Sequence, residues 1–387
     1  MDNEEKKVNV DTGEKEVNAE TGEKKPKKGV KILKKVLLIV GIVLGAIVLL
    51  LAGLLAFLAI TEYKPADKEA VEIVGEADKP LKTGETITVM TWNLGYGALG
   101  DNADFFMDGG THVYTADKDR VKSNLDGMLD QIKKVSPDLL LLQEIDKNSD
   151  RSYHINELEM FREAFPGYDS DFAYNFKVEF MPIPGVPPMG KVDSGISTFS
   201  AYNISEAERI QLPVPFKWPV RMMNLKRCII INRIPVDGSD KELVLVDLHL
   251  EAYDSGEGKA AQTEMLRTIL EDEYKKGNYV IAGGDFNQIF STEDSSLYPL
   301  QPGMWQCGEI DVGGFSDGWQ FIMDEKTPSC RSLDKPLEGA DQESFQFYLI
   351  DGFIVSKNIS VESAETLDLG FVCTDHNPVV MKITLSE

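Results

Sequence analysis

The feature that most constrains this chain is an apolar run of 25 residues without a charge, from Val36 to Ile60. With a rise of about 1.5 Å per residue, a helix of this length exceeds the roughly 30 Å hydrocarbon core of a bilayer and can span it with some tilt. A cleaved signal peptide has a shorter apolar region near its N-terminus, whereas here a polar leader of 35 residues comes first. We therefore predict one uncleaved transmembrane helix at residues 36–60.

The two flanks of the apolar run differ in charge and predict its orientation. Seven lysines lie within residues 24–35, whereas residues 61–63 on the other side include no basic residue. By the positive-inside rule, the chain is a single-pass protein of the cell membrane, with a cytoplasmic N-terminus and an extracytoplasmic C-terminal part. The leader 1–35 repeats a short motif and has almost no apolar bulk, so we predict a disordered cytoplasmic tail.

Charge also bears on the partners of the extracytoplasmic part. Residues 1–35 hold ten lysines and eight acids, which leaves 30 basic and 56 acidic side chains in the rest of the chain. Such an acidic domain lacks the broad cationic face of a strong nucleic-acid-binding protein. A divalent metal, however, offsets the repulsion between an acidic site and phosphate. Nucleic acid stays open as a partner but is not favoured, and no feature of the sequence indicates a protein partner.

Strand and helix patterns alternate after the apolar run. Charged residues together with Pro65, Pro80 and Gly84 predict a linker at 61–85, and one large domain follows at 86–387. Many strands and fewer helices, with both hairpin and crossover connections, predict a mixed sheet packed by helices. The predicted strands are Thr86–Thr91, Leu139–Leu142, Tyr168–Phe176, Ser194–Phe199, Cys228–Ile234, Leu243–Leu250, Tyr279–Ala282, Phe347–Val355 and Val379–Ile383, and the predicted helices are Asp119–Val135, Asn156–Phe165 and Gly258 to about Lys276.

Five short motifs in this domain end in residues that suit a metal or a phosphate. Most of them follow directly on an apolar run, so their polar ends are expected to collect at one edge of a sheet. Two of the four histidines fall in these motifs, and the pattern indicates an enzyme. The motifs are Thr91-Trp92-Asn93, Leu142-Gln143-Glu144, Asp247-Leu248-His249, Gly283-Gly284-Asp285-Phe286-Asn287 and Thr374-Asp375-His376-Asn377-Pro378.

Three of these polar residues suit the activation of water near a metal. Asp285 and Asn287 leave the end of a strand on the same side, so the carboxylate can accept a proton from water while the amide holds that water or a phosphoryl oxygen. The same two residue types are common in ordinary turns. Glu144 ends a buried strand, where an ionised carboxylate is costly unless a cation or a donor compensates it. Mg²⁺ would do so, with one or two carboxylates, waters and phosphate oxygens as ligands.

Four further residues suit the binding of a phosphate. His376 can donate to a phosphate oxygen, and Asp351 is the best candidate for a carboxylate that holds this histidine in one charge state. His249 closes another strand and can supply a second donor. Asn93 is a candidate neutral ligand or positioning residue. Each of these residues, taken alone, also has an ordinary structural interpretation.

Three features leave alternatives open. Lys226 and Arg227 either contact phosphate or are surface cations whose stems lie on apolar surface. Residues 180–190, which contain four prolines, form either a lip that contacts lipid or substrate or a packed loop. Cys307 and Cys330 are the pair to test for a disulfide, although buried free thiols explain the cysteine spacing at least as well.

Taken together and in this order, the motifs resemble those of the endonuclease/exonuclease/phosphatase superfamily, which includes DNase I-like nucleases, apurinic endonucleases, inositol-polyphosphate 5-phosphatases and neutral sphingomyelinases. The resemblance extends over about residues 86–385. It implies an α/β fold, a four-layer α/β sandwich of two face-to-face mixed β-sheets flanked by helices, here preceded by one transmembrane helix. It also implies hydrolysis of a phosphate ester that depends on Mg²⁺, for which Mn²⁺ can substitute.

The resemblance further implies roles at the metal and at the attacking water. Glu144 would ligate the metal with Asn93 nearby, and Asp375 would support the metal or the phosphate. Asp285 would orient or deprotonate the attacking water. The reaction would be an in-line displacement, with charge stabilised by one metal and by preorganised donors.

The remaining roles implied by the resemblance concern the phosphate. His249 and His376 would bind the scissile phosphate, and Asp351 would pair with His376. Asn287 would stabilise the transition state. The side chains expected to touch the substrate are therefore Asn93, His249, Asn287 and His376.

Two departures from the family pattern put the substrate in doubt. Asp247 stands where many members have Asn, and the segment 95–118 is a long insertion. We predict a membrane-anchored extracytoplasmic phosphoesterase or phosphodiesterase, with a lipid headgroup or small phosphoester favoured because an anchored acidic domain faces lipid and repels polyanions. A DNase I-like nuclease is the first alternative, and a non-catalytic surface-binding domain is the second.

Overall fold

A computed structural model describes residues 28–254 and 256–386, and the chain divides into two compact units, residues 1–56 and 57–387. Residues 1–27 of the predicted disordered tail lie outside the described residues. Helix α1 (Lys28–Thr61) contains the whole apolar run. Among the described residues, it is the one helix long and apolar enough to cross a membrane, as judged by length and composition.

Three further helices and eighteen strands form the larger unit within the described residues. The helices are α2 (Lys118–Val135), α3 (Glu157–Ala164) and α4 (Glu257–Lys275). The strands are β1 (Lys68–Ala70), β2 (Thr86–Asn93), β3 (Leu139–Asp146), β4 (Asp169–Ser170), β5 (Ala173–Met181), β6 (Gly190–Ser200), β7 (Glu206–Gln211), β8 (Cys228–Pro235), β9 (Glu242–His249), β10 (Tyr279–Asp285), β11 (Gln288–Phe290), β12 (Gly308–Ile310), β13 (Trp319–Ile322), β14 (Cys330–Arg331), β15 (Phe347–Tyr348), β16 (Asp351–Ser356), β17 (Ile359–Thr366) and β18 (Val379–Leu385).

Most of these strands belong to two mixed sheets of seven strands each. The first sheet has the order β1-β7-β8-β9-β10-β16-β13, and the second has the order β17-β18-β2-β3-β6-β4, with β5 paired to β6. One neighbouring pair in each sheet is parallel, β9 with β10 and β2 with β3. The other pairings within the two sheets are antiparallel.

The apolar runs explain why the sheets pack face to face with helices outside. Successive side chains of a strand point to opposite faces, so a continuous apolar strand buries both. Leu141 of β3 packs in one core cluster with Leu245 of β9 in the opposite sheet. Its neighbour Leu142 packs on the other side with Leu125 of α2, and Val246 packs with α4 in the same way. The four-layer α/β sandwich is confirmed.

Helix α2 shows how local chemistry sets element boundaries. The Asp117 side chain caps its start by accepting the Arg120 N–H, and Ser136 ends it in a left-handed conformation with φ of 51°. Pro137 follows, which disfavours continuation of a helix. Four apolar side chains at helical spacing are buried against the second sheet, namely Val121, Leu125, Met128 and Ile132.

Two predicted strands are each interrupted, and the prediction of continuous strands was wrong. Phe347–Val355 divides into β15 and β16, which belong to different sheets. The Ser329 hydroxyl accepts hydrogen bonds from the Ile350 and the Asp351 N–H groups. In a continuous strand, a neighbouring strand would accept such bonds. Tyr168–Phe176 divides into β4 and β5, because the Asp171 carboxylate accepts the Thr198 N–H between them.

Residues 68–81 of the predicted linker pack on the domain. β1 pairs with β7, and Leu81 is buried in the core between the sheets. The many charged residues of this segment are typical of a linker, so the sequence did not indicate that Leu81 is buried. Seven of the strands were in no prediction, namely β1, β7, β11, β12, β13, β14 and β17. Of these, β7, β13 and β17 have mixed polar sequences and lie at or near the edges of the two large sheets.

Candidate active site

The polar strand ends meet at one edge of the two sheets. Because β2 and β3 are parallel, Asn93 and Glu144 lie towards the carboxyl ends of neighbouring strands. His249 and Asp285 are register partners at the ends of the parallel strands β9 and β10. Asp351 begins the antiparallel strand β16 directly opposite Asp285. The prediction that these residues collect at one edge is thus realised in the structure.

A β-bulge directs Glu144 into this edge. The register between β3 and β6 shifts between Leu142 and Ile145, and Glu144 has a φ of 53°. A non-glycine residue in the left-handed region is uncommon, and such strain is typical of functional sites. Its carboxylate is partly exposed, within the same cavity as Asp285.

The Asp285 carboxylate lies where the two sheets meet. Its Oδ2 accepts a hydrogen bond from Asn93 Nδ2 at 3.1 Å and lies 3.4 Å from His249 Nε2. The same Asn93 nitrogen is 3.4 Å from Glu144 Oε1, while Asn93 Oδ1 accepts the Gly95 N–H. In this arrangement Asn93 positions two carboxylates, and its oxygen is already engaged by the backbone.

His376 is held by the partner that the sequence suggested. Its Nδ1 lies 2.8 Å from Asp351 Oδ2, and its Nε2 faces Asp285 Oδ2 at 3.9 Å and Asp375 Oδ2 at 4.0 Å. Burial disfavours the imidazolium, but the Asp351 and Asp375 carboxylates outweigh it and raise the pKa of His376 well above its ordinary value. The two carboxylates therefore favour the charged form of this histidine.

His249 has the opposite electrostatic surroundings. Burial, reinforced by the nearby Arg227 guanidinium, lowers the pKa of His249 well below its ordinary value. Its Nδ1 is buried and makes no hydrogen bond within the described residues. The surroundings thus favour the neutral form of His249 and the charged form of His376, and both imidazoles face Asp285.

Asn287 and Asp375 complete the predicted set. Asn287 has a φ of 52°, its backbone N–H donates to Asp285 Oδ1 at 2.8 Å, and its amide donates to the Leu250 carbonyl at 3.0 Å. Asp375 lies beside Gly95, where an added Cβ would come within 3.0 Å of Asp375 Oδ1. Gly95 also has a φ of 50°, so both the conformation and the space call for glycine there.

The carboxyl groups of this site share a poorly solvated space. Burial, followed by repulsion from Asp351, raises the pKa of Asp285 to about 7, although His376 opposes the shift. Burial also raises the pKa of Glu144, with Asp375 adding to the effect and Arg151 opposing it. Close carboxylates in a low dielectric favour a compensating cation.

A cavity of about 240 Å³ opens above these groups. Its floor is polar and contains Glu144, Asp285 and His376, with Asp375, His249 and Asn287 beside them. Its walls are mainly apolar and aromatic. They include Phe105, Phe176, Met181, Ile183, Met189 and Trp305.

The structure adds side chains that the sequence interpretation did not place. Arg227 is buried, with its Nε 3.4 Å from Glu251 Oε2, and it lines the cavity; Lys226 is buried as well. The interpretation of both as surface cations was wrong, because the strand that they precede is central and covered. Asp108, inside the 95–118 insertion, accepts a hydrogen bond from Tyr253 at 3.2 Å. Nothing in the Gly- and Asp-rich sequence of this insertion distinguished Asp108.

The four cysteines are free thiols, so the Cys307–Cys330 disulfide is not formed in the structure. Burial raises the pKa of the Cys330 thiol to about 12, although His376 opposes the shift. Asp247, the departure from the family pattern, is buried beneath the floor and accepts a hydrogen bond from Gln143 at 2.7 Å. It supports the floor from below.

The floor also suits a hard divalent cation. Glu144 accepts only a long hydrogen bond from Asn93, and Asp351 Oδ1 is buried without a hydrogen-bond partner within the described residues. Carboxylate oxygens are the ligands that Mg²⁺ and Mn²⁺ prefer. Ligand atoms lie within 4.8 Å of one another in two groups, Asp285 with Asp351 and His376, and Cys330 with Asp375 and His376.

Comparison with solved structures finds similar chains, and the first of those below has the same fold. An endonuclease/exonuclease/phosphatase from Beutenbergia cavernae DSM 12333 has a TM-score of 0.52 and 17% identity, covering 78% of this chain and 72% of that one. The human Nocturnin catalytic domain with bound sulfate anion has a TM-score of 0.48 and 17% identity, covering 82% and 97%. Humanized D. rerio TDP2 has a TM-score of 0.47 and 14% identity, covering 77% and 99%.

Sequence comparison gives the family. No curated protein matches the chain significantly, but the model of the "Endonuclease/Exonuclease/phosphatase family" matches residues 90–341, more than half of the chain. The matched region contains Glu144, His249 and Asp285, and the four-layer fold that carries them is the one found in the solved structures. This chain therefore belongs to the endonuclease/exonuclease/phosphatase family of phosphoester-hydrolysing enzymes.

Proposed function

We propose that this chain hydrolyses a phosphate ester with the help of a divalent metal ion, on the outer side of a membrane to which α1 anchors it. The observation that carries the proposal is the position of Asp285. Its carboxylate lies where side chains of both sheets meet, in contact with Asn93 and His249 and facing His376. No ordinary structural role requires so many polar groups around one buried acid.

Asp285 is the general base in this proposal. A general base is most effective when its pKa lies near the working pH, and the pKa of about 7 places Asp285 there. It would accept one proton from water as the water oxygen bonds to phosphorus. The ester P–O bond would break on the opposite side, the leaving oxygen would take a proton from solvent water, and Asp285 would return its proton to the solvent.

The two histidines would hold the phosphate. Neutral His249 can donate one hydrogen bond, and cationic His376, fixed by Asp351, can donate a charged one. The Asn287 amide uses one hydrogen on Leu250, which leaves a second for a phosphoryl oxygen. Donors fixed before the reaction stabilise developing charge at little reorganisation cost.

Glu144 and Asp375 would hold the metal, with Asn93 positioning Glu144 beside it. When bound, Mg²⁺, or Mn²⁺ in its place, would neutralise phosphate charge and stabilise the transition state. This assignment agrees with the raised pKa of both carboxyl groups. Burial removes water from their charged forms, and a bound cation would compensate that cost.

A lipid headgroup or another small phosphoester is the favoured substrate. The chain beyond residue 35 carries 56 acidic against 30 basic side chains, which opposes the approach of a polyanion such as DNA. The apolar walls of the cavity also suit an ester with an apolar group. The seven lysines before the apolar run support the outward orientation of the domain.

The test is hydrolysis by the full-length protein in detergent, with Mg²⁺ or with EDTA. The substrates are bis-p-nitrophenyl phosphate, sphingomyelin, phosphatidylinositol phosphates and plasmid DNA. We expect Mg²⁺-dependent turnover of a lipid or small ester, its loss in Asp285→Ala and His376→Ala, and its retention in the surface variant Asp272→Ala. Preferred cleavage of DNA would transfer the assignment to a nuclease, and turnover that persists in both site variants would refute the proposed site.

A further inference from the structure

Two loops at the mouth of the cavity carry exposed apolar side chains. The first, residues 182–189, joins β5 to β6 and contains the half-exposed Ile183 and the fully exposed Val186. The second, residues 212–227, precedes β8 and contains Trp218 and Val220, which are 65% and 44% exposed. We call these four side chains the apolar rim. Exposed apolar side chains that are grouped at the mouth of a cavity are typical of a binding surface.

Both loops border the catalytic cavity. Ile183 of the first loop and Leu225 of the second line the same cavity as Asp285. The second loop is tied to β5, which leads into the first, because the Lys226 N–H donates to the Asn175 carbonyl at 2.7 Å. Whatever the apolar rim touches is therefore next to the entrance of the active site.

The second loop is also fastened to the residues that follow the apolar run. Glu62 lies 3.3 Å from Arg221 Nε and 3.8 Å from Lys226 Nζ, and the Tyr63 ring packs edge-on against Tyr174. Glu62 is two residues beyond Ile60, so at most about 7 Å of chain separates it from the end of the apolar run. If the run spans a bilayer, the loop that carries Trp218 lies beside the membrane surface.

Charge distinguishes the two loops from the rest of the domain. Neither 182–189 nor 212–227 contains an acidic residue, although 56 acids lie beyond residue 35. The second loop carries the exposed cations Lys217 and Arg221 on either side of Trp218. Tryptophan with flanking Lys or Arg is the composition of segments that lie at membrane interfaces and attract anionic lipid.

We propose that the apolar rim inserts into the outer leaflet of the membrane that α1 spans, and that the cavity takes its substrate from that same leaflet. The substrate class is a membrane phospholipid, with its phosphate against Asp285 and His376 and its apolar part along the walls around Ile183. The substrate part rests on the proposed phosphoester hydrolysis, whereas the membrane contact does not.

The membrane contact is tested through Trp218, because the other three tryptophans are buried or half-buried. The full-length protein is reconstituted in phosphatidylcholine–phosphatidylglycerol vesicles with and without brominated acyl chains, next to Trp218→Phe. We expect brominated lipid to quench the fluorescence that Trp218 contributes. Equal Trp218 fluorescence in both vesicles would overturn the insertion, and would leave a protein as the partner of the rim.

The substrate source is tested by offering lipid in the same vesicles as the protein or in separate vesicles. The vesicles contain phosphatidylcholine, phosphatidylglycerol, phosphatidylinositol phosphates and sphingomyelin, and bis-p-nitrophenyl phosphate is the soluble reference. We expect faster hydrolysis of lipid in the protein's own vesicles, and a loss of about tenfold in V186S/W218S with the soluble ester unaffected. Leu297→Ser, similarly exposed on another loop, is the matched control.

The outcomes separate this inference from the proposed function. Equal rates for the two lipid populations, or an unchanged lipid rate in V186S/W218S, would overturn the inference while soluble-ester turnover still supports hydrolysis. Failure to cleave the soluble ester and the lipids would instead refute the proposed function and the substrate part with it. The Trp218 quenching would still decide the membrane contact in that case.

Discussion

Asp285 lies in the floor of the cavity and Val186 lies on a loop whose Ile183 lines the same cavity, but the surroundings of the two residues differ in every respect. Asp285 belongs to a buried floor in which side chains from several strands hold one another at hydrogen-bond distance. Val186 belongs to the apolar rim, which lies on loops and is exposed to solvent. Hydrogen-bond partners hold the polar side chains of the floor in one arrangement, because an unpaired polar group is costly when buried. The apolar side chains of the rim are instead stabilised only when another apolar surface covers them. The two proposals therefore assign chemistry and substrate delivery to separable parts of the molecule.

The largest expected effect concerns the floor alone. Asp285→Asn keeps the shape of the side chain but removes the base, so kcat should fall by about 10³-fold for lipid and soluble ester alike. Initial rates with both substrates in Mg²⁺ measure this. Asp272→Asn on the surface of α4 is the control and should match wild type. A loss confined to the lipid would contradict the separation of floor from rim.

The next effect tests whether the floor acts as a connected set. Asp351→Asn removes the charge that keeps His376 cationic, although it leaves a neutral group of the same shape at that position. We expect kcat to fall about 100-fold, as for other groups that orient a functional histidine. The thermal midpoint is measured alongside, to separate this effect from unfolding. A kcat within twofold of wild type would show that the pair is structural.

A smaller effect should appear where the cavity wall meets the rim. Ile183→Ser removes a half-buried apolar side chain from the proposed lipid path. We expect the ratio of kcat/KM for lipid to kcat/KM for the soluble ester to fall about tenfold, the worth of burying one such side chain. An unchanged ratio would indicate that the lipid enters elsewhere.

The smallest effect on activity is expected far from both regions. Glu273, near the end of α4, binds Arg233 of β8 at 2.6 Å and accepts a hydrogen bond from Asn278. Burial alone would raise the pKa of Glu273, but the bonds to Arg233, Lys276 and Asn278 lower it to about 2. Glu273→Gln should reduce the free energy of unfolding by about 2 kcal/mol at pH 7 and leave kcat unchanged.

The lowered pKa of Glu273 predicts how its contribution to stability depends on pH. A carboxyl group with a lowered folded-state pKa stabilises the fold fully above its unfolded value of about 4.5 and loses that contribution as the pH falls towards 2. The difference between wild type and Glu273→Gln, measured by urea unfolding, should therefore shrink between pH 5 and pH 3. The exposed Glu264→Gln on the same helix is the control. A difference that does not change with pH would refute the charged interaction.

The floor was largely predictable from sequence, because polar residues at the ends of apolar strands meet wherever those strands are neighbours. Asn93, His249 and Asp285 follow this rule, and the pairing of His376 with Asp351 was inferred in advance. Their catalytic roles stay predictions. The bulge that turns Glu144 into the site was not predictable, since it depends on the register between β3 and β6.

The parts that escaped prediction depend on contacts between distant segments. Arg227 is buried because β8 is covered on both faces, which its own sequence does not reveal. The break between β15 and β16 depends on Ser329, about twenty residues earlier. The contact of Glu62 with Arg221 joins segments more than 150 residues apart and fastens the second loop to the residues that follow the apolar run.

The central claim is that the floor performs metal-dependent hydrolysis, and the most direct test is a Mg²⁺ titration. Initial rates with bis-p-nitrophenyl phosphate are measured for full-length wild type and Glu144→Gln as free Mg²⁺ is raised from zero in an EDTA buffer. We predict no turnover without metal, saturation in wild type, and a shift of half-saturation by about 100-fold or more in Glu144→Gln. Turnover that is independent of Mg²⁺, or half-saturation equal in the two proteins, would contradict the account.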